Sequence, residues 1–214
     1  MRDERKAVPG KPQARGIARR AAMLRAATEL FLEKGFERTS LSDIVDRSKG
    51  SRSTLYEYFG NKEGLLRAMV EDTAAMMRQN VGIDSVAQGM TEAGLVELGV
   101  RFIRAVLAPD VVAVYRIVAS EGRWVSGIAE LFYQASVQEQ KSRLSDWFRQ
   151  ARSSGGFKDI SPDDLTRLFV GIVLADFHVR HTIGLDPTWD DDEIQRHTKL
   201  AVGIFLAGIR LPPD

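Results

Sequence analysis

The chain contains no cysteine. Disulfide frameworks, zinc ribbons and cysteine nucleophiles are excluded with it. Histidine is scarce at three residues, so nucleophile–base pairs are few. The motifs G-x-S-x-G, H-E-x-x-H, the P-loop and G-x-G-x-x-G are all missing. No catalytic residue, cofactor or resident metal is therefore expected. Long apolar runs are missing too. The longest, LFVGIVLA (168–175), ends at Asp176 and is far too short to span a bilayer. The start, MRDERKAVPGKPQARG, has no apolar centre of the signal-peptide kind. The expectation is a soluble cytoplasmic protein with no membrane partner. No segment reads convincingly as a strand, and no internal repeat is visible.

What remains is an ordinary globular composition over 214 residues, 44% apolar and 28% charged. That length suits one or two domains with a sizeable core. The net charge of +1 is unevenly placed. Through Lys62 there are 14 Lys+Arg against 8 Asp+Glu, and beyond it 16 against 21. The basic end suits a polyanion, although a solvated basic tail would give the same imbalance.

Helical periodicity runs through most of the chain. Residues 1–13, with two prolines and many charges, read as a disordered basic arm that either follows a minor groove or simply solubilises. From residue 14, Met23, Ala27 and Leu30 repeat at helical spacing until Gly35. Ser40 and Asp43 resemble a capping box opening a short helix, which Lys49-Gly50 ends. A second short helix covers 52–59, and Asn61 caps a longer one over 62–80. This order is a helix-turn-helix. The predicted organisation is an all-α protein: arm 1–13, helix-turn-helix domain 14–61, connecting helix 62–80, and a second helical domain 81–212. Helices are expected there at 91–107, 111–122, 125–153, 162–184 and 190–210. Ser161-Pro162-Asp163-Asp164 and Trp189-Asp190-Asp191-Asp192 mark the starts of the last two.

The segment GSRSTLYEYFGNKEGL concentrates outward donors on an anchored helix. Leu55 and Phe59 are four apart and pin one face to a core. Arg52, Ser53 and Tyr56 lie opposite. A recognition helix enters the major groove with its leading residues against base edges. Arg52 is in that leading turn, and its fork matches guanine. Ser51, Ser53, Thr54, Tyr56 and Lys62 suit phosphates.

The stretches AATELFLEKGFERTSLSDIV and STLYEYFGNKEGLL resemble the N-terminal domain of TetR-type repressors over residues 21–70. The later VYRIVASEGRWVSGIAELFY (114–133) is similar to the second domain of an AefR-like subgroup. The resemblance implies an all-helical homodimer whose first three helices bind a double-stranded, palindromic operator until a small molecule in the second domain releases it. It places DNA roles at Thr39 and Ser40, at Arg52, Ser53 and Thr54, and at Tyr56, Tyr58 and Lys62. One departure stands out. The family has glycine where this chain has Lys49 and a small apolar residue where it has Gly50. Either Lys49 accepts a left-handed conformation or the turn slips by one residue. In both cases Lys49 adds a charge near the phosphates.

The last two helices are apolar on too many sides for one core. Leu165, Leu168, Phe169, Ile172 and Val179 form one stripe of the first, and Val170, Val173, Leu174 and Phe177 another. In the last, Ile194, Ala201, Ile204 and Phe205 form one, and Val202, Leu206 and Ile209 a second. The surplus suggests a homodimer through a four-helix bundle. The alternative is a helix buried within a monomer. Bulky candidates for a ligand site are Phe102, Val106, Trp124, Phe132, Trp147 and Phe177, with Arg116, Glu121 and His178 as polar contacts. His178 and His181 have a metal-pair spacing, a weak signal without a third ligand. The competing reading of the whole chain is a helical interaction module that never touches DNA. An uncharacterised enzyme is the remoter alternative.

Overall fold

The computed structural model describes residues 11–86, 90–151, 157–185 and 190–211, with side chains from residue 14 onward. The arm expected over 1–13 lies outside the described residues as far as position 10, and a helix begins at Lys11. Among the described residues there is no strand, only an isolated bridge between Phe157 and Arg210. The helices are α1 (Lys11–Lys34), α2 (Leu41–Ser48), α3 (Arg52–Phe59), α4 (Lys62–Val81), α5 (Glu92–Val106), α6 (Pro109–Glu121), α7 (Ile128–Phe132), α8 (Glu139–Ala151), α9 (Pro162–Leu174), α10 (Phe177–Thr182) and α11 (Asp191–Ile209). A short 3-10 turn follows α4, and a π-helical segment, Tyr133–Gln138, joins α7 to α8.

The caps sit where the side chains dictate. Ser40 and Asp43 form a reciprocal capping box at α2. The Asn61 side chain accepts from the Gly64 N–H at α4, and Ser161 and Asp190 cap α9 and α11. The turn between α2 and α3 does not slip. Lys49 takes the left-handed conformation itself, φ 54° and ψ 32°, and Gly50 does not. A β-carbon at Gly50 would crowd Met23 Cε, the flexible end of a buried side chain, which would have to shift.

Among the described residues the core divides into two apolar clusters. One joins Met23, Leu30, Phe31, Ile44, Leu55 and Phe59 of the first three helices to Leu65, Leu66 and Met69 of α4. It is completed by Val114, Ile117 and Val118 of α6. The other holds Met77 and Val81 at the far end of α4, Val111 of α6, and most of α5, α8, α9 and α11. Helices α4 and α6 therefore each run from one core into the other.

Two expected helices are interrupted. The one predicted over 125–153 begins only at Ile128 and loosens into the π segment. The one predicted over 162–184 breaks at Ala175, which has φ 41° and ψ −125°. The break carries Phe177 into the core against His197 and leaves Asp176 exposed, 3.8 Å from Arg180. His197 Nε2 pairs with the Val173 carbonyl at 3.0 Å, close to the break.

The stripes of the last two helices also differ from those predicted. Leu165, Phe169 and Val173 of α9 face the core, whereas Val170 and Leu174 face a cavity and Leu168 faces outward. On α11 both predicted stripes are buried except Ile204. The surplus apolar face keeps Leu168 on α9 and Ile204 on α11 from the predicted stripes and adds Leu200, each more than half exposed. Gly171, Gly203 and Gly208 lie among them and face open space.

Candidate nucleic-acid interface and internal cavity

Helix α3 is held from beneath and capped from within. Leu55 and Phe59 are buried, while Ser51, Arg52, Ser53 and Tyr56 are exposed along its other side. The Ser51 hydroxyl accepts from the Thr54 N–H and pairs with the hydroxyls of Ser53 and Thr54 at 3.0 and 2.8 Å. Arg52 donates to the Ser42 hydroxyl, which ties the first turn of α3 to α2. Ser40 and Lys49 are exposed beside it. The Ser40 backbone N–H and hydroxyl hold the Asp43 carboxyl below the ordinary carboxylate value. Helix α4 starts close against the end of α3: a β-carbon at Gly64 would lie 2.0 Å from the Phe59 carbonyl oxygen. The result is a rigid, hydroxyl-rich ridge bearing one guanidinium and one phenol.

Three predicted contacts are engaged elsewhere. Thr39 is buried, and its hydroxyl donates to the carbonyls of Gly35 (2.8 Å) and Leu30 (3.2 Å), locking the α1–α2 connection. The Tyr58 hydroxyl is half-buried and donates to the Gly16 carbonyl at 3.4 Å. Lys62 departs furthest from the sequence reading. Its ammonium donates to the carbonyls of Phe36, Thr39 and Glu37 at 2.8, 3.2 and 3.3 Å, and lies 4.3 Å from the Phe36 ring centroid. An ammonium has three protons, so none is left for a phosphate in this arrangement.

In the second domain a cavity of about 170 Å³ opens between α4, α5, α6, the π segment, α8 and α9. Phe102, Val106, Phe132 and His178, four of the candidate ligand contacts, line it. So do Met77, Tyr115, Ser136 and Gln140, which sequence reasoning missed. Tyr115 meets Phe132 and His178 edge-on, with ring centroids 5.9 and 4.5 Å apart. Burial pushes His178 below the ordinary histidine value, and nearby His181 adds to this, so its ring is neutral at pH 7.

The other predicted ligand contacts do not line this cavity. Trp124 is 70% exposed. Trp147 and Phe177 are buried in the core away from the cavity walls. Arg116 donates to the carbonyls of Thr182 (2.7 Å) and His181 (2.8 Å), fastening α6 to the end of α10. Glu121 accepts from the Phe36 N–H at 3.3 Å. Helix α6 thus lines the cavity with Val111 and Tyr115 and reaches the connection after α1 with Glu121. Among the described residues no helix is long and apolar enough to cross a membrane.

Comparison with known proteins matches two stretches of the chain. Residues 23–69 match the profile of bacterial regulatory proteins of the tetR family. Residues 93–208, more than half of the chain, match that of the AefR-like transcriptional repressor C-terminal domain. The transcriptional repressor ComR of Escherichia coli is 46% identical over 52 residues, 24% of this chain and 25% of ComR. The match thus spans about a quarter of that curated relative. Among solved structures, a TetR family regulator from Pseudomonas syringae superposes with a TM-score of 0.72 at 19% identity, covering 91% of this chain and 98% of that one. SmeT in complex with triclosan superposes at 0.68 with 23% identity, covering 91% and 92%. The chain belongs to the TetR family of transcriptional regulators, with an N-terminal helix-turn-helix and an AefR-like C-terminal domain.

Proposed function

We propose that the protein is a homodimeric, sequence-specific DNA-binding repressor that leaves a palindromic operator when a small apolar molecule enters the cavity. The carrying observation is the α3 ridge, where exposed donors stand on a helix that buried Leu55 and Phe59 hold rigid. In the major groove Arg52 reads a base edge, and Ser40, Lys49, Ser51, Ser53, Thr54 and Tyr56 position the backbone. The operator lies with the genome, so the protein acts in the cytoplasm.

The exposed apolar face of α9 and α11 supports dimerisation, because pairing it with its two-fold copy removes Leu168, Leu200 and Ile204 from water. The two copies of α3 must then sit about 34–36 Å apart, or a multiple of that, to read one face of a duplex. Helices α4 and α6 are shared by both cores, so a ligand that shifts the cavity wall acts on the spacing of the readers. Such a ligand weakens DNA binding by its differential affinity for the two spacings, typically about 5–150-fold. The structurally similar SmeT binds triclosan, which supports a small-molecule effector here. The test is to sequence the genomic fragments that the purified protein selects. Enrichment of a two-fold symmetric sequence is expected, with loss of enrichment in Arg52→Ala. Random recovery would refute the proposal.

A further inference from the structure

The cavity has polar atoms that its own walls leave unsatisfied. Ser136 lies in the π segment and Gln140 one turn later in α8, both 3% exposed and both lining the cavity. Neither the Ser136 hydroxyl nor either end of the Gln140 amide has a hydrogen-bond partner. Buried polar groups are nearly always bonded, and leaving them unbonded in an apolar interior is costly. Three unpaired buried polar atoms, on lining residues four apart, point to a guest that supplies the missing bonds.

The other walls narrow its chemistry. Tyr115, Phe132 and His178 present an edge-to-face aromatic surface, which suits another ring. No carboxylate lines the cavity. Its one cationic side chain, Lys141, also borders an outer polar cleft with Asp146 and Asp163. The inner polar groups are therefore the Ser136 alcohol, the Gln140 amide, the Tyr115 phenol and a neutral imidazole. The volume of about 170 Å³ is close to that of an engineered cavity, ~150 Å³, that takes up benzene. A Gln amide both donates and accepts, and so does a hydroxyl.

Building on the reading of this cavity as an effector site, we propose that it selects an uncharged single-ring aromatic carrying one group that both donates and accepts a hydrogen bond. A phenol hydroxyl or a primary carboxamide has that chemistry, with Ser136 and Gln140 as its readers. A site built to bond such a group rejects the analogue that lacks it, because its own polar atoms then stay unpaired.

The test is calorimetric titration of the full-length protein with phenol, benzamide, toluene and benzoate. Phenol and benzamide should bind at least about 10-fold more tightly than toluene, and benzoate no more tightly than toluene. Gln140→Met with Ser136→Ala should erase that preference while toluene still binds, which reports an intact cavity. The wild-type ranking decides the matter even where the variant fails to fold. Toluene equal to phenol, benzoate binding most tightly through Lys141, no binding of any probe at millimolar concentration, or a preference that survives the double variant would each overturn the assignment. Phenol that binds as expected without loosening the protein from DNA leaves the assignment standing and refutes ligand-controlled release.

Discussion

Lys62 separates two accounts of the N-terminal domain. A lysine beside a recognition helix invites the role of a phosphate contact, yet its ammonium sits over the Phe36 ring and faces three backbone carbonyls after α1. The perturbation is Lys62→Met, which keeps most of the stem and removes the charge. Hydrogen bonds to a charged donor contribute roughly 1.5–3 kcal/mol each when buried. These carbonyls are partly accessible and recover water, so the three bonds count for less than their sum. The ring contact adds about 0.5–1 kcal/mol. The expected loss is about 2–3 kcal/mol of folding stability, read from the urea midpoint at fixed protomer concentration. The second readout is the salt dependence of operator binding at a temperature where the variant is fully folded. Each neutralised phosphate adds about −0.9 to the log–log slope. The slope should be unchanged, because Lys62 neutralises none. A variant with wild-type stability and a slope about one unit shallower would refute the reasoning and return Lys62 to the DNA.

Three further outcomes are expected. Lys49→Gly relieves the left-handed strain and should raise stability by roughly 0.5–1 kcal/mol, while making the salt slope of DNA binding about one unit shallower; both are read by the same two assays. His178 is held below its ordinary value of 6.5 by burial, so stability is fully present above that pH and is lost as pH falls through it. Melting temperature should therefore decline between pH 7 and 5, and the decline should be smaller in His178→Phe. Ile204→Glu places two like charges near the proposed two-fold axis, and sedimentation at micromolar concentration should shift from dimer to monomer.

Much of the helical frame was legible because its boundaries rest on local chemistry. Ser40 with Asp43, Asn61, Ser161 with Pro162, and Asp190 announce helix starts through side chains that satisfy backbone N–H groups a turn away. The break at Ala175 has no such local cause. Alanine favours helix, and the chain breaks there with Phe177 packed into the core and the Val173 carbonyl paired with His197, contacts set by distant helices. The exposed side of α3 was legible from the four-residue spacing of Leu55 and Phe59. Thr39 and Lys62 were not, since a polar side chain in sequence gives no sign of whether water or a backbone carbonyl will receive its proton. The same ambiguity hid Ser136 and Gln140. Their polarity reads as solvent-facing, yet they line an apolar cavity with their polar atoms unpaired.

The central claim is that two copies of the α3 ridge grip one duplex. It is tested most directly by footprinting the purified protein on a genomic fragment it selects. The account predicts two protected half-sites, related by two-fold symmetry and centred one helical turn or a whole multiple apart, with protection lost together when Arg52 and Tyr56 are replaced by alanine in a protein that remains a folded dimer. Undiminished protection in that variant would contradict it.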